Sequence, residues 1–205
     1  MFMSSEKDRI DEERIEHLYR MVSSVPGWLE RNEGETLYRL ARYKAPVPTV
    51  VELGSWKGKS TCWLSGALQD RGEGRVHAVD LWNWKPSGKP LDHPDEVLDE
   101  FKQNLRKLGL GENVETIRMK TVDASRKWRR RSPIGLLFID ASHRYAAVRE
   151  DFEYWSPMVA TGGYIAFHDV NTWQGPTKLV SELPKWYVKV RTKGLWVCRK
   201  VMEEP

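Results

Sequence analysis

The sequence predicts an α/β fold: a doubly wound, mostly parallel sheet with a closing antiparallel hairpin and an N-terminal helical cap. Three observations carry this reading. From residue 49 onward, short β-branched and apolar runs alternate with helical patterns, the signature of strand–helix–strand crossovers. The first run passes into a loop with two glycines, and the second, Val76-His77-Ala78-Val79, ends in Asp80, 28 positions after Glu52. The last two runs are separated only by Thr192-Lys193-Gly194, which suits a hairpin turn.

The elements follow in order. Ser5-x-x-Asp8 is a helix start, and Ile10, Ile15, Leu18 and Val22 mark a helical stripe that Pro26-Gly27 breaks. A second helix spans 33–43, with Leu37, Leu40 and Ala41 on one face, and Pro46 and Pro48 end it. Strand one covers 49–53 and its helix 59–69. Strand two covers 75–80. The loop 81–94 holds three prolines, Trp82, Trp84 and His93, and loops of this length are often lids. A helix over 95–108 carries Val97, Phe101, Leu105 and Leu108 on one stripe. Strand three is 114–119, with a short helix over 125–131. Strand four is 134–140, followed by a helix with Tyr145, Val148, Phe152 and Trp155 at helical spacing. Gly162-Gly163 turns into strand five at 164–168. A short helix near 177–183 and strands at 186–191 and 195–200 close the chain. Residues 1–45 read as a cap on the same domain, and 46–205 as the ligand-binding domain.

Composition narrows the class. The chain has 205 residues, 40% apolar and 30% charged, which suits one globular α/β domain. No run of 18 apolar residues marks a membrane span, and residues 1–20 have no apolar signal core, so a cytoplasmic location is expected. Cys62 and Cys198 read as free thiols of a reducing compartment. The net charge of +4 includes 29 interspersed acidic residues. The basic run Arg126-Lys127-Trp128-Arg129-Arg130-Arg131 reads as a solvated helix face rather than a nucleic-acid contact.

In an open α/β sheet, ligands bind beyond the carboxyl ends of the strands. The loop Gly54-Ser55-Trp56-Lys57-Gly58 lies at such an end. Gly54 permits close backbone approach, and the helix after Gly58 offers free amides. Trp56 stands where a dinucleotide loop needs its second glycine, and Gly54-x-x-x-Gly58-Lys59-Ser60 is one residue short of a P-loop. Acidic residues at successive strand ends suit an amine or a ribose diol better than a bare polyphosphate.

The ordered set Glu52-x-Gly54-x-x-x-Gly58-x-Ser60, Asp80 and Asp123 resembles the class I S-adenosylmethionine-dependent methyltransferases, over roughly residues 26–200. The resemblance implies a Rossmann-like seven-stranded sheet. It also implies a cofactor pocket drawn from Glu52, Gly54, Ser55, Trp56, Gly58, Ser60, Asp80, Leu81, Trp82, Asp123, Ala124 and Asp140, with the glycine loop on the methionine portion, Asp80 on the ribose and Asp123–Ala124 near the adenine.

A second constellation lies further along. Strand four ends in Asp140-Ala141-Ser142-His143 and strand five in His168-Asp169. Adjacent strand ends lie about 5 Å apart, so Asp140, His168 and Asp169 can surround one cation, with His143 a turn away. Phe138-Ile139-Asp140-Ala141-Ser142-His143 and Ala166-Phe167-His168-Asp169-Val170 resemble the cation-dependent O-methyltransferases that act on catechols and macrolide sugars. That resemblance implies Mg2+ or another divalent cation on Asp140 and Asp169, His143 as the base, and transfer of a methyl group to a hydroxyl of a small, sugar-containing or polyhydroxylated molecule. His168 departs from the acidic residue usual there. Rival readings are a non-haem iron oxygenase using His143, His168 and one aspartate, and a P-loop-like nucleotide-binding protein. The expected partner is a small-molecule acceptor, with neither membrane nor nucleic acid; a homodimer is left open.

Overall fold

The computed structural model describes residues 6–128, 132–190 and 192–202, with side chains from residue 11. The described strands are β1 (Thr49–Leu53), β2 (Arg75–Asp80), β3 (Val114–Arg118), β4 (Ile134–Ile139), β5 (Val159–Phe167), β6 (Tyr187–Val190) and β7 (Trp196–Lys200), joined in one sheet of order β3-β2-β1-β4-β5-β7-β6. The first five run parallel, and β7 pairs antiparallel with both β5 and β6. This is the expected doubly wound sheet with a reversed terminal hairpin. Its order turns at β1 and β4, which are hydrogen-bonded neighbours whose following helices depart in opposite directions along the sheet. A crevice opens at such a switch point.

Period-two alternation sorts the core to the two faces. Val50 and Phe138 pack on one side with Trp63, Leu64 and Phe101 of α3 (Lys59–Arg71) and α4 (Glu96–Lys107). Val51, Leu53 and Ile139 pack on the other with Trp128 of α5 (Thr121–Trp128) and Phe152 and Trp155 of α6 (Tyr145–Trp155). All six residues of β4 are buried, as a strand covered on both faces requires. A last helix, α7 (Gln174–Ser181), precedes the hairpin.

The cap consists of α1 (Glu6–Val22) and α2 (Arg31–Arg39), the latter continuing through a π-helical turn, Leu40–Lys44. Both helices lie on α3. Leu18 presses on Gly66, and Arg14 and Tyr38 both reach Asp70 at 2.7–2.9 Å. Gly34 lets the Trp63 indole pass against α2, because a Cβ at that position would stand 2.3 Å from Nε1.

Three elements start three or more residues earlier than the sequence reading places them. Strand β5 starts at Val159 rather than 164, because Val159 already pairs with Ile134, and Gly162-Gly163 forms an irregularity inside the strand with Gly162 at φ +85°. Helix α5 starts at Thr121 rather than 125, because Ala124 and Trp128, one turn apart, are its buried apolar residues. Helix α7 starts at Gln174 rather than 177. Ser5, Arg129 to Arg131 and Arg191 lie outside the described residues.

Replacing Gly34 with alanine should force α2 away from Trp63 and lower unfolding free energy by roughly 1–3 kcal/mol, the usual range for overpacking. Urea denaturation measures this, and an unchanged midpoint contradicts the packing described.

Candidate active site

The site begins where β1 meets the crevice. Gly54 has φ +86°, and a Cβ there would lie 2.6 Å from the Ala141 Cα and the Asp140 carbonyl, so only glycine lets the loop cross the end of β4. Gly58, at φ +89°, caps α3. Between them Trp56 is left-handed at φ 40°.

Asp80, at the end of β2, holds this loop in shape. Its Oδ2 accepts the backbone N–H of Ser55 at 2.8 Å and of Trp56 at 2.9 Å, while Oδ1 accepts that of Trp82 at 2.7 Å. The Trp82 indole N–H closes the circuit by donating to the Trp56 carbonyl at 2.8 Å. Trp82 is buried against Phe101, whereas Trp84 is exposed, so of the two lid candidates Trp82 is a packed wedge. Trp56 stacks on Trp28 of the cap at 4.7 Å.

Glu52 sits differently from what a ligand-facing role requires. Alternation along β1 puts it on the Val50 face, beneath α3, with no exposure. Its Oε2 accepts the hydroxyls of Ser55 at 2.7 Å and Thr61 at 2.5 Å, and Oε1 has no hydrogen-bond partner. Burial pushes its carboxyl up to about 7 against the opposing influence of the nearby Ser60, Thr61 and Ser55 hydroxyls. Glu52 therefore braces the loop from below. Ser60 is buried at the start of α3, and Leu81 is exposed beside Asp80. Asp123 and Ala124 lie in the first turn of α5, beyond the end of β3; Asp123 pairs with Arg126 at 3.1 Å and Ala124 is buried.

The second constellation gathers at the ends of β4 and β5. The His143 Nε2 stands 2.7 Å from Asp169 Oδ2 and 4.0 Å from Asp140 Oδ1, and its ring stacks on the exposed Trp173 at 4.9 Å. Asp169 is itself left-handed, φ 59°. The sequence places His168 among the metal ligands, but both its ring nitrogens are taken. Nδ1 lies 3.1 Å from Asp140 Oδ1 and from Asp169 Oδ2, and Nε2 lies 3.2 Å from Glu33 Oε2 of α2. Burial works against the imidazolium, yet the hydrogen bonds and charges of Asp140 and Glu33 outweigh it and carry His168 up to about 11. Burial likewise raises the Asp140 carboxyl, opposed by the His168 N–H. The group whose ligand atoms lie together is instead Asp140, His143 and Asp169, all within 4.8 Å of one another. An iron triad that needs His168 loses its ligand to Glu33. The P-loop reading loses its lysine, because Lys59 Nζ donates to the Gly27 carbonyl at 3.0 Å.

Glu33, Trp28 and Trp173 join the site without having been singled out by sequence. Glu33 belongs to a Glu30–Glu33 capping box, which marks only a helix start. Its contact with His168 spans 135 positions and leaves no local trace.

Comparison with known proteins agrees with this fold. A family model described as a methyltransferase domain matches residues 51–170. Similar solved structures include the O-methyltransferase TomG from Streptomyces achromogenes in complex with SAM (S-adenosylmethionine), with TM-score 0.66, 17% identity, and 93% of this chain and 89% of that one covered. The SAH-bound methyltransferase PaMTH1 of Podospora anserina has TM-score 0.66 and 14% identity, covering 98% and 99%. An O-methyltransferase from Bacillus cereus in complex with SAH has TM-score 0.63 and 18% identity, covering 92% and 91%. At such identities the likeness speaks for the fold.

The raised Glu52 carboxyl has a pH signature. The folded state holds this proton up to about 7, against 4.5 for an ordinary glutamate, so its contribution to stability is full below pH 4.5 and lost as pH rises through 7. Ionising it in the fold costs about 3 kcal/mol. Glu52→Gln should remove that slope, so the variant gains on the parent across this window. Denaturation at several pH values measures the difference, and parallel curves contradict the burial of this carboxyl.

Proposed function

This chain belongs to the methyltransferase-domain family, and from that premise we propose that it transfers a methyl group from S-adenosylmethionine to a hydroxyl oxygen of a small, polyhydroxylated or sugar-containing molecule. The observation that carries the reading is the Asp80 carboxylate, set at the switch-point crevice against the glycine loop by three backbone N–H groups. It remains partly exposed, and carboxylate oxygens there can accept from the hydroxyls of a ribose diol. The nearby lysines are not aimed at a polyphosphate: Lys59 is tied to Gly27, and Lys57 pairs with Glu100 at 2.6 Å.

Bound in that crevice, S-adenosylmethionine supplies an electrophilic methyl group. Asp80 and the loop amides orient its nucleoside end. At the β4–β5 edge, the His143 Nε2–H donates to Asp169, which leaves Nδ1 to take up the proton of the acceptor hydroxyl, and Asp169 stabilises the imidazolium that results. Asp140 and Asp169 are the residues that would hold a divalent cation beside His143, and its chemistry there would be to polarise a chelated hydroxyl. The exposed Trp173 ring flanks His143 and offers a flat apolar face to a sugar or aromatic acceptor.

A cytoplasmic enzyme with a small-molecule acceptor fits the remaining features. Cys62 and Cys198 are buried free thiols, and no helix among the described residues is long and apolar enough to cross a membrane.

Calorimetry with S-adenosylhomocysteine tests the donor. Wild type should bind, and Asp80→Ala should lose about 100-fold in affinity, as expected for two hydrogen bonds to a charged group. Asp140→Ala should keep that binding while methyl transfer to a catechol or sugar diol falls at least about 100-fold. No binding by wild type at millimolar ligand contradicts the donor, and full turnover by Asp140→Ala contradicts the assigned chemistry.

A further inference from the structure

We infer that Glu33, in the N-terminal cap, is a positioning residue for His143, acting through His168 and Asp169. The use made of His143 rests on the methyl-transfer reading; the chain of contacts does not. It runs from the cap to the crevice through polar atoms 2.7–3.2 Å apart, with Asp140 Oδ1 as the hydrogen-bond partner of His168 Nδ1 at 3.1 Å. Glu33 Oε2 faces His168 Nε2 at 3.2 Å, His168 Nδ1 faces Asp169 Oδ2 at 3.1 Å, and Asp169 Oδ2 faces His143 Nε2 at 2.7 Å. Glu33 and His168 are 14% and 8% exposed and Asp169 19%, whereas His143 is 38% exposed, so the interior members are anchored and the solvent end is free to meet a substrate.

The anchor is built from two elements. The backbone N–H of Glu30 donates to Glu33 Oε2 at 2.8 Å, fixing the carboxylate at the first turn of α2. The β6–β7 turn closes over it: Thr36 Oγ1 donates to the Lys193 carbonyl at 2.9 Å, and Gly194 packs so tightly that a Cβ there would meet the Glu33 Cγ at 2.4 Å. An imidazole rotates in a broad, two-fold well about its last torsion unless both nitrogens are held. Glu33 holds the second nitrogen of His168. That keeps Nδ1 hydrogen-bonded to Asp140 Oδ1 and 3.1 Å from the Asp169 oxygen that faces His143, which sets the place of the carboxylate on which proton transfer depends. A contact that only tied the cap to the sheet would leave His143 indifferent to Glu33.

The test is ring 15N NMR on the full-length protein labelled at histidine, with His143 and His168 assigned from His143→Gln and His168→Gln. Glu33→Ala should speed exchange of the His168 ring N–H by at least about tenfold and displace the His143 ring signals. Glu33→Gln keeps an amide oxygen at the same place and should return His143 to its wild-type signals. Unmoved His143 signals in Glu33→Ala, or equal displacement in Glu33→Gln, overturn the proposal. If Glu33→Ala fails to fold, Glu33→Asp withdraws the acceptor by one methylene and should displace His143 in the same direction; no displacement overturns it. Binding of S-adenosylhomocysteine, measured alongside, should stay within about threefold of wild type in Glu33→Ala, since the polar partners described for Glu33 are Glu30 and His168 and not the glycine loop. Absence of binding in wild type would strike the methyl-transfer reading, while the histidine signals would still decide whether the contacts from Glu33 to His143 act as a unit.

Discussion

One carboxylate organises the crevice. Asp80 accepts three backbone N–H groups from two different loops, and both loops carry a tryptophan in the left-handed region that bulky residues avoid. Such conformations persist only where surrounding contacts over-determine them. Here Asp80 fixes the amides of Trp56 and Trp82, and the Trp82 indole ties back to the Trp56 carbonyl. Gly54, pressed on Asp140 and Ala141, then brings this braced loop against the end of β4. The glycine loop and the acidic strand ends are therefore one rigid unit.

The acid–histidine group beside it obeys a different constraint, which is charge. Asp140, Asp169 and Glu33 converge on His168, and the imidazolium answers them from inside the fold. The stability His168 gains this way is fully present below about pH 6.5 and lost only as pH rises through about 11. With His168 committed, His143 is the histidine left facing the crevice. The cap is thereby part of the site: α2 contributes a carboxylate to the network, and the segment before it places Trp28 on the glycine loop.

Much of this was legible in the chain. The strands announce themselves as buried apolar runs, and Gly54, Asp80, Asp140 and Asp169 could be assigned to the crevice because strand ends in a doubly wound sheet converge there. Side-chain direction was harder. Glu52 follows the two-residue alternation of β1 and turns under α3, a consequence of strand geometry that the motif alone hides. The helix after β3 starts early because burial of Ala124 and Trp128, not the basic run, sets its register. The capture of His168 by Glu33 depends on how the cap docks, and no local pattern encodes a contact across 135 positions.

The central claim is that the Asp80-braced crevice receives a nucleoside with a ribose diol. A crystal structure of the protein with S-adenosylhomocysteine tests it most directly. The ribose hydroxyls should be hydrogen-bonded to Asp80, with the amides of Ser55 and Trp56 still on the same carboxylate and the sulfur facing the Asp140–His143–Asp169 edge. A nucleoside bound away from Asp80, or a loop that must release it to admit the ligand, would contradict that claim.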